Sequence, residues 1–136
     1  MGREEPVVTA PDGAAAVALS YITSFADGDP DAVAAHVTDD FVNEHTAALG
    51  TGCTGRDEYR RRLPGFLADF AGVRYEVEDV IAQDDRVAIP YTMRARYHDH
   101  DVIVRGIMRF IVRDGLVARR TDYWDALGFL KQIGQA

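Results

Sequence analysis

The segment FIVRDGLVARRTDYWD, residues 110–125, decides how this chain folds. Apolar and polar residues alternate on both sides of Arg113-Asp114-Gly115, and Gly115 readily takes the positive φ of a tight turn. The stretch therefore reads as a β-hairpin. Its second half, RRTDYWD (119–125), holds two arginines, two aspartates, a tyrosine and the only tryptophan of the chain. On a strand these residues separate by parity, because alternate side chains share a face. Ala118, Arg120, Asp122 and Trp124 fall on one face, and Val117, Arg119, Thr121 and Tyr123 on the other. Parity alone leaves open which face turns inward.

Upstream, the same period-two pattern extends back to Gly72. Four strands are expected, over 73–83, 86–97, 102–113 and 116–125, joined by QDD, HDHD and RDG. Pro90 has no backbone donor, so its strand should bulge or go locally unpaired there. Before Gly72 the spacing is helical. Ala15, Val17, Leu19, Ile22 and Phe25 mark a helix from Asp12, its expected N-cap, to Ala26. DGDP (27–30) ends it, and Pro30 suits the first turn of a second helix through His36. DDFVNEHTA (39–47) puts Phe41, Asn43 and His45 on one face of a short strand. The Gly/Thr-rich loop LGTGCTG (49–55) follows, then a helix over 56–70 that Pro64-Gly65 should kink or split. ALGFLKQIG (126–134) forms a last short helix capped by Asp125.

Helices followed by an antiparallel meander define an α+β domain, a curved antiparallel sheet wrapped around the N-terminal helices. Residues 1–12, polar and broken by Pro and Gly, read as a flexible tail without the apolar core of a signal peptide. Residues 13–136 read as a single domain. The chain of 136 residues is 47% hydrophobic and 27% charged, as expected of a globular protein able to bury a core. No apolar run approaches the roughly 20 residues of a membrane span. The 15 basic and 22 acidic residues give a formal charge of −7, which disfavours a nucleic acid partner. The single Cys53 excludes an internal disulfide framework and a cysteine-rich zinc site, and fits a reducing cytoplasm. RDEYRRR (56–62) reads as a solvated helix face. In HDHD (98–101) alternate side chains point apart, so no metal site is expected. Arg94, Arg96, Arg105, Arg109 and Arg119 form a basic stripe that Glu76 and Glu78 can pair across strands or across a dimer interface.

SYITSFADGDPDAVAAHVTDDF (20–41), GRDEY (55–59) and the closing hairpin together resemble the nuclear transport factor 2-like superfamily, over about residues 13–134. That group includes ketosteroid isomerases, SnoaL-like polyketide cyclases and limonene-type epoxide hydrolases. The resemblance implies a cone-shaped fold with a deep apolar pocket, and a homodimer formed through the outer sheet face. It also turns the Arg120–Asp122–Trp124 face inward. Tyr21 matches the helix tyrosine with which isomerases hold a developing enolate. His45 stands where they keep an aspartate base, and Met108 where they keep a protonated aspartate, so the isomerase set is broken twice. Asp122 and Asn43 match the catalytic aspartate and water-positioning asparagine of the epoxide hydrolases. Their partner tyrosine is Phe41 here, and YTMRA (91–95) lacks their second aspartate.

The implied pocket comprises Tyr21, Asn43, His45, Tyr91, Met93, Met108, Phe110, Arg120, Asp122 and Trp124. Asp122 and His45 are the proton-transfer candidates, and Tyr21 or Asn43 the donors to an oxyanion. Arg120, Trp124, Tyr91, Met93, Met108 and Phe110 are expected to bind the substrate. The looser SnoaL-like pattern fits best: acid/base cyclisation or isomerisation of a hydrophobic carbonyl compound, without a cofactor. The alternatives are epoxide hydrolysis and ligand binding without turnover. Arg120–Asp122 as a structural ion pair and His45 as a core histidine remain open readings of the same residues.

Overall fold

A computed structural model describes residues 13–136; the expected tail 1–12 and the N-cap Asp12 lie outside the described residues. The chain opens with α1 (Gly13–Ser24), a short 3-10 turn (Phe25–Asp27) and α2 (Pro30–Ala34). Asp29 caps α2 by accepting from the Asp31 N–H, and Pro30 occupies the first turn, where no donor is needed. Strands β1 (Val37–His45) and β2 (Cys53–Thr54) follow, then α3 (Arg56–Asp69). The meander consists of β3 (Phe70–Val77), β4 (Ile81–Gln83), β5 (Arg86–Tyr97), β6 (His100–Arg113) and β7 (Leu116–Trp124), and α4 (Ala126–Gln132) ends it. The Asp125 carboxylate accepts from Gly128 N–H at the start of α4.

The seven strands make one curved, unclosed sheet in the order β2-β1-β7-β6-β5-β3, with β4 also paired to β5. The meander is antiparallel, but β1 lies parallel to β7, so the sheet is mixed rather than wholly antiparallel. The two strands are separated by α3 and the rest of the meander, a connection long enough for a parallel neighbour. The helices cover the inner face. Tyr21, Ile22 and Phe25 from the first helical segment pack with Val33, Phe41, Ile89, Met108 and Phe110, all at most 1% exposed. Such close-packed apolar burial is the main favourable term holding a fold of this kind.

Four details depart from the expected pattern. The strand expected over 73–83 is two strands, because Glu78–Val80 leave the ladder. The break faces Pro90: its carbonyl accepts from Glu78 N–H, and its missing donor points to the same edge. Pro90 itself stays in register with Ile107 on the other side. Next, α3 runs through Pro64-Gly65 as one helix, since both residues are exposed and water can satisfy the carbonyl that Pro64 leaves unpaired. The 97–100 hairpin is tighter than expected, with β6 starting at His100 and His98 at φ 54°. Last, Val117 is fully buried with the core and does not share the face of Arg119, Thr121 and Tyr123. Val112 pairs Val117 while Ile111 pairs Arg119, so Ala118 is an extra residue, a β-bulge that inverts the parity of the strand.

The outer sheet face carries the basic stripe together with its acids. Glu76 pairs Arg94 at 2.8 Å and Glu78 pairs Arg105 at 2.7 Å. Arg119 pairs Glu44 at 2.7 Å, and Arg109 donates to the Tyr123 hydroxyl at 3.3 Å. Ile103, Ile107, Ile111 and Tyr123 stand exposed among these charges. Among the described residues no helix is long and apolar enough to cross a membrane.

Candidate active site

A cavity of about 450 Å³ opens between the inner sheet face, the loop after β1 and α4. Its walls are largely aromatic: Phe66 and Phe70 from α3 and β3, Tyr75, Tyr91 and Tyr97 from β3 and β5, and Trp124 and Phe129 from the C-terminal end. Leu49, Leu130 and Ile133 are further lining residues, from the loop and the last helical segment. A cavity of this size and lining suits a flat, hydrophobic small molecule.

Asp122 is the carboxylate of the inward face. Its Oδ1 accepts from the Tyr91 hydroxyl at 2.7 Å, and its Oδ2 accepts from Arg120 Nη2 at 2.9 Å. Arg120 also donates through Nη1 to the Tyr21 hydroxyl at 3.0 Å, and that hydroxyl meets Tyr59 Oη at 2.5 Å. The guanidinium lies against the Tyr21 and Phe25 rings, 5.8 and 5.7 Å from their centroids. Both charged side chains are 5% exposed, so the pair is held out of water with its hydrogen bonds largely satisfied. Burial raises the Tyr91 hydroxyl, reinforced by the Asp122 carboxylate, so Tyr91 remains a protonated donor. Burial also raises Tyr21, against the pull of Arg120.

His45 reaches the site from the parallel ladder, where Asn43 pairs Arg120 and His45 pairs Asp122 in register. Thr46 fixes the strand end, with its N–H and hydroxyl both donating to the Asp122 carbonyl at 3.0 and 3.1 Å. His45 Nδ1 lies 3.9 Å from Asp122 Oδ2, beyond hydrogen-bond range. Burial, and then the Arg120 charge, push the imidazole down to about 4, against the opposing pull of Asp122. His45 is therefore neutral at physiological pH.

That shift has a consequence for stability. Unfolded histidine titrates near 6.5, so between about pH 6.5 and 4 the unfolded chain holds a proton that the folded chain does not. Folding stability must fall as the pH falls through this window, by roughly 3 kcal/mol from this one group. Urea midpoints measured from pH 7 to pH 4 should decline less steeply in His45→Gln than in the native protein. Parallel declines would contradict the burial of a neutral imidazole.

Four buried polar atoms among the described residues have no protein partner: Asn43 Oδ1, His45 Nδ1, Arg120 Nε and Trp124 Nε1. His45, Arg120 and Trp124 line the large cavity, while Asn43 lines a smaller adjoining one of about 120 Å³ shared with His45, Thr51, Phe66 and Arg120. Buried polar groups are rarely left unpaired, so these atoms mark where a polar part of a ligand, or water, would sit.

Of the residues expected in the pocket, Tyr91, Met93, His45, Arg120, Asp122 and Trp124 line the large cavity, and Asn43 the small one. Tyr21, Met108 and Phe110 line neither. They share the inward face but are fully buried beneath it, where α1 closes that end of the sheet and the Tyr21 ring meets Phe110 at 5.8 Å. Tyr21 thus touches Arg120 rather than the cavity. Tyr59, hidden in the charged run RDEYRRR, was not expected at the site. Its place on the inner stripe of α3, four residues before the buried Leu63, was the available signal. Tyr75, Phe70 and Phe129 are likewise wall residues without a sequence motif. Around the 97–100 turn, His98 pairs Asp69 at 3.6 Å and His100 lies 3.5 Å from Asp99.

A curved mixed sheet wrapped around N-terminal helices is the architecture of the nuclear transport factor 2-like superfamily. The SnoaL-like domain family matches residues 18–120, most of the chain, and this protein belongs to that family. Solved structures agree on the fold. A protein of ketosteroid isomerase-like fold from Catenulispora acidiphila, in complex with trimethylamine, superimposes with a TM-score of 0.80 at 16% identity, covering 88% of this chain and 93% of that one. An LEH-like epoxide hydrolase from Mycobacterium tuberculosis gives 0.76 at 20% identity, covering 88% and 87%. A candidate polyketide cyclase from Xanthomonas campestris gives 0.73 at 24% identity, covering 89% and 96%. At these identities the likeness concerns the fold alone. No curated protein sequence matches this chain.

Proposed function

We propose that this protein is a cofactor-independent enzyme that moves a proton on a hydrophobic, carbonyl-containing small molecule, leading to isomerisation or aldol-type ring closure. The observation that carries this reading is the Asp122 carboxylate, fixed by Tyr91 and Arg120 at the wall of an aromatic cavity. Asp122 takes a proton from the carbon beside the carbonyl. Negative charge then moves from the carboxylate to the enolate oxygen, and Arg120, already buried beside it, compensates the charge in both states. The partnerless N–H groups of Arg120 and Trp124 are the donors available to that oxygen. Neutral His45, 3.9 Å from Asp122, is placed to pass the proton on. In an unsaturated ketone the resulting dienolate is then reprotonated at its far carbon, or the enolate carbon attacks a second carbonyl of the same molecule and the new alkoxide takes the proton back.

A second reading, epoxide hydrolysis, is favoured by the register that sets Asn43 beside Arg120, together with the partnerless Asn43 Oδ1. One experiment separates the readings: polycyclic ketones and limonene-type epoxides are incubated with the protein in H₂¹⁸O and the products weighed. Isomerisation leaves the mass unchanged, ring closure with dehydration removes one water, and hydrolysis adds a labelled one. Binding without any mass or isomer change would make the protein a binding module.

The exposed Ile103, Ile107 and Ile111, alternating with arginines on the outer face, support a homodimer through that face. Sedimentation should then give twice the 15.0 kDa chain mass, and Ile107→Glu should return it to the monomer. A monomeric native protein would refute the dimer. The lone Cys53, unpaired, fits a cytoplasmic setting.

A further inference from the structure

Gly106 lies in the middle of β6, an element interior where glycine weakens a strand and needs a reason. It pairs with Tyr91 on β5 and with Trp124 on β7, so the three share the inward face directly opposite one another. Asp122 is two residues along β7, opposite Met108. To bring its hydroxyl to Asp122 Oδ1, Tyr91 must therefore cross β6 diagonally, and the position it crosses is Gly106. A Cβ built at Gly106 would stand 2.5 Å from Tyr91 Oη and 2.8 Å from its Cζ. No such contact is tolerable, and the side chain it displaces is one of the two that hold the carboxylate. The same Cβ would stand 2.5 Å from the Tyr123 carbonyl, a second, backbone reason for glycine that an experiment must separate from the first.

We propose that Gly106 is a positioning residue for Asp122: the missing side chain is the passage through which Tyr91 reaches the carboxylate. The consequence for turnover rests on the reading of Asp122 as the proton acceptor; the positional claim does not. Any side chain at 106 pushes the Tyr91 ring off Asp122 and into the cavity, which loses both the hydrogen bond and part of the ligand space.

The test uses the full chain labelled with ¹³C at the tyrosine ring carbon bearing the hydroxyl, with the Tyr91 signal identified by its loss in Tyr91→Phe. In Gly106→Ala the Tyr91 signal should move, while those of Tyr21 and Tyr59 stay. With a turned-over ketone, kcat should fall about 10- to 100-fold, as expected for one hydrogen bond to a charged group, and match Tyr91→Phe. Adding Tyr91→Phe to Gly106→Ala should lower it little further. A folded Gly106→Ala with an unmoved Tyr91 signal would overturn the proposal. Moved signal without any effect on turnover would instead count against Asp122 as the proton acceptor. Should Gly106→Ala not fold, Gly106→Ala/Tyr91→Ala decides: a double variant that folds supports the passage. Failure of the double variant to fold would assign the glycine to the Tyr123 carbonyl and overturn it.

Discussion

Asp122→Asn is expected to bind hydrophobic ketones in the same cavity and to convert them at least roughly 1,000-fold more slowly than the native protein, within the range a positioned acid/base contributes. Asparagine keeps the shape of the side chain and an oxygen for the Tyr91 hydroxyl, so the aromatic walls should stay where they are. What it loses is the ability to take a proton and to neutralise Arg120. The second loss also predicts a lower melting temperature, since a buried guanidinium is left without its anion. Turnover must therefore be compared well below the melting point of the variant, with near-ultraviolet circular dichroism as a check that the aromatic packing survives. A folded Asp122→Asn with native turnover would remove Asp122 from the chemistry.

Arg120→Met should produce the largest loss of stability of any single change at the site. The guanidinium hydrogen-bonds Tyr21 and Asp122 and packs on the rings of Tyr21 and Phe25. Methionine fills part of the volume but leaves Asp122 buried with Tyr91 as its remaining donor. Breaking one side of a buried ion pair costs about 3–5 kcal/mol, which for a domain of this size corresponds to roughly 10–20 °C in Tm. Replacing both partners, as Arg120→Met/Asp122→Leu, should recover most of that loss, because the isolated charge and not the lost attraction dominates the cost. Thermal unfolding of the two variants side by side checks this. A double variant no more stable than Arg120→Met would show that the polar network itself carries the stability.

The closing hairpin was readable because its signals are local: alternation on both sides of Asp114-Gly115, both of which adopt positive φ. The same alternation misplaced Val117. A bulge is written in the pairing between strands, and nothing in Leu116-Val117-Ala118 marks the extra residue. The parallel neighbour β1 was hidden for a similar reason, since partner choice across some eighty residues of chain is set by tertiary packing. For the site, face was legible and depth was not. Parity and family likeness put Tyr21, Met108 and Phe110 on the inward side with Asp122 and Trp124, but only the seating of α1 decides which of these meet the cavity and which are sealed under it. Tyr59 was hidden because the six charged residues of RDEYRRR surround it, and the helix leaves them at least partly exposed while turning Tyr59 in.

Proton abstraction beside a carbonyl can be observed without knowing the final product. Polycyclic ketones incubated with the protein in deuterium oxide, followed by proton NMR, report each removal of a proton as exchange at the neighbouring carbon. Exchange is expected well above the buffer rate with the native protein, and near the buffer rate with Asp122→Asn. Ketones that bind in the cavity without exchanging, or that exchange equally with Asp122→Asn, would contradict proton abstraction by Asp122.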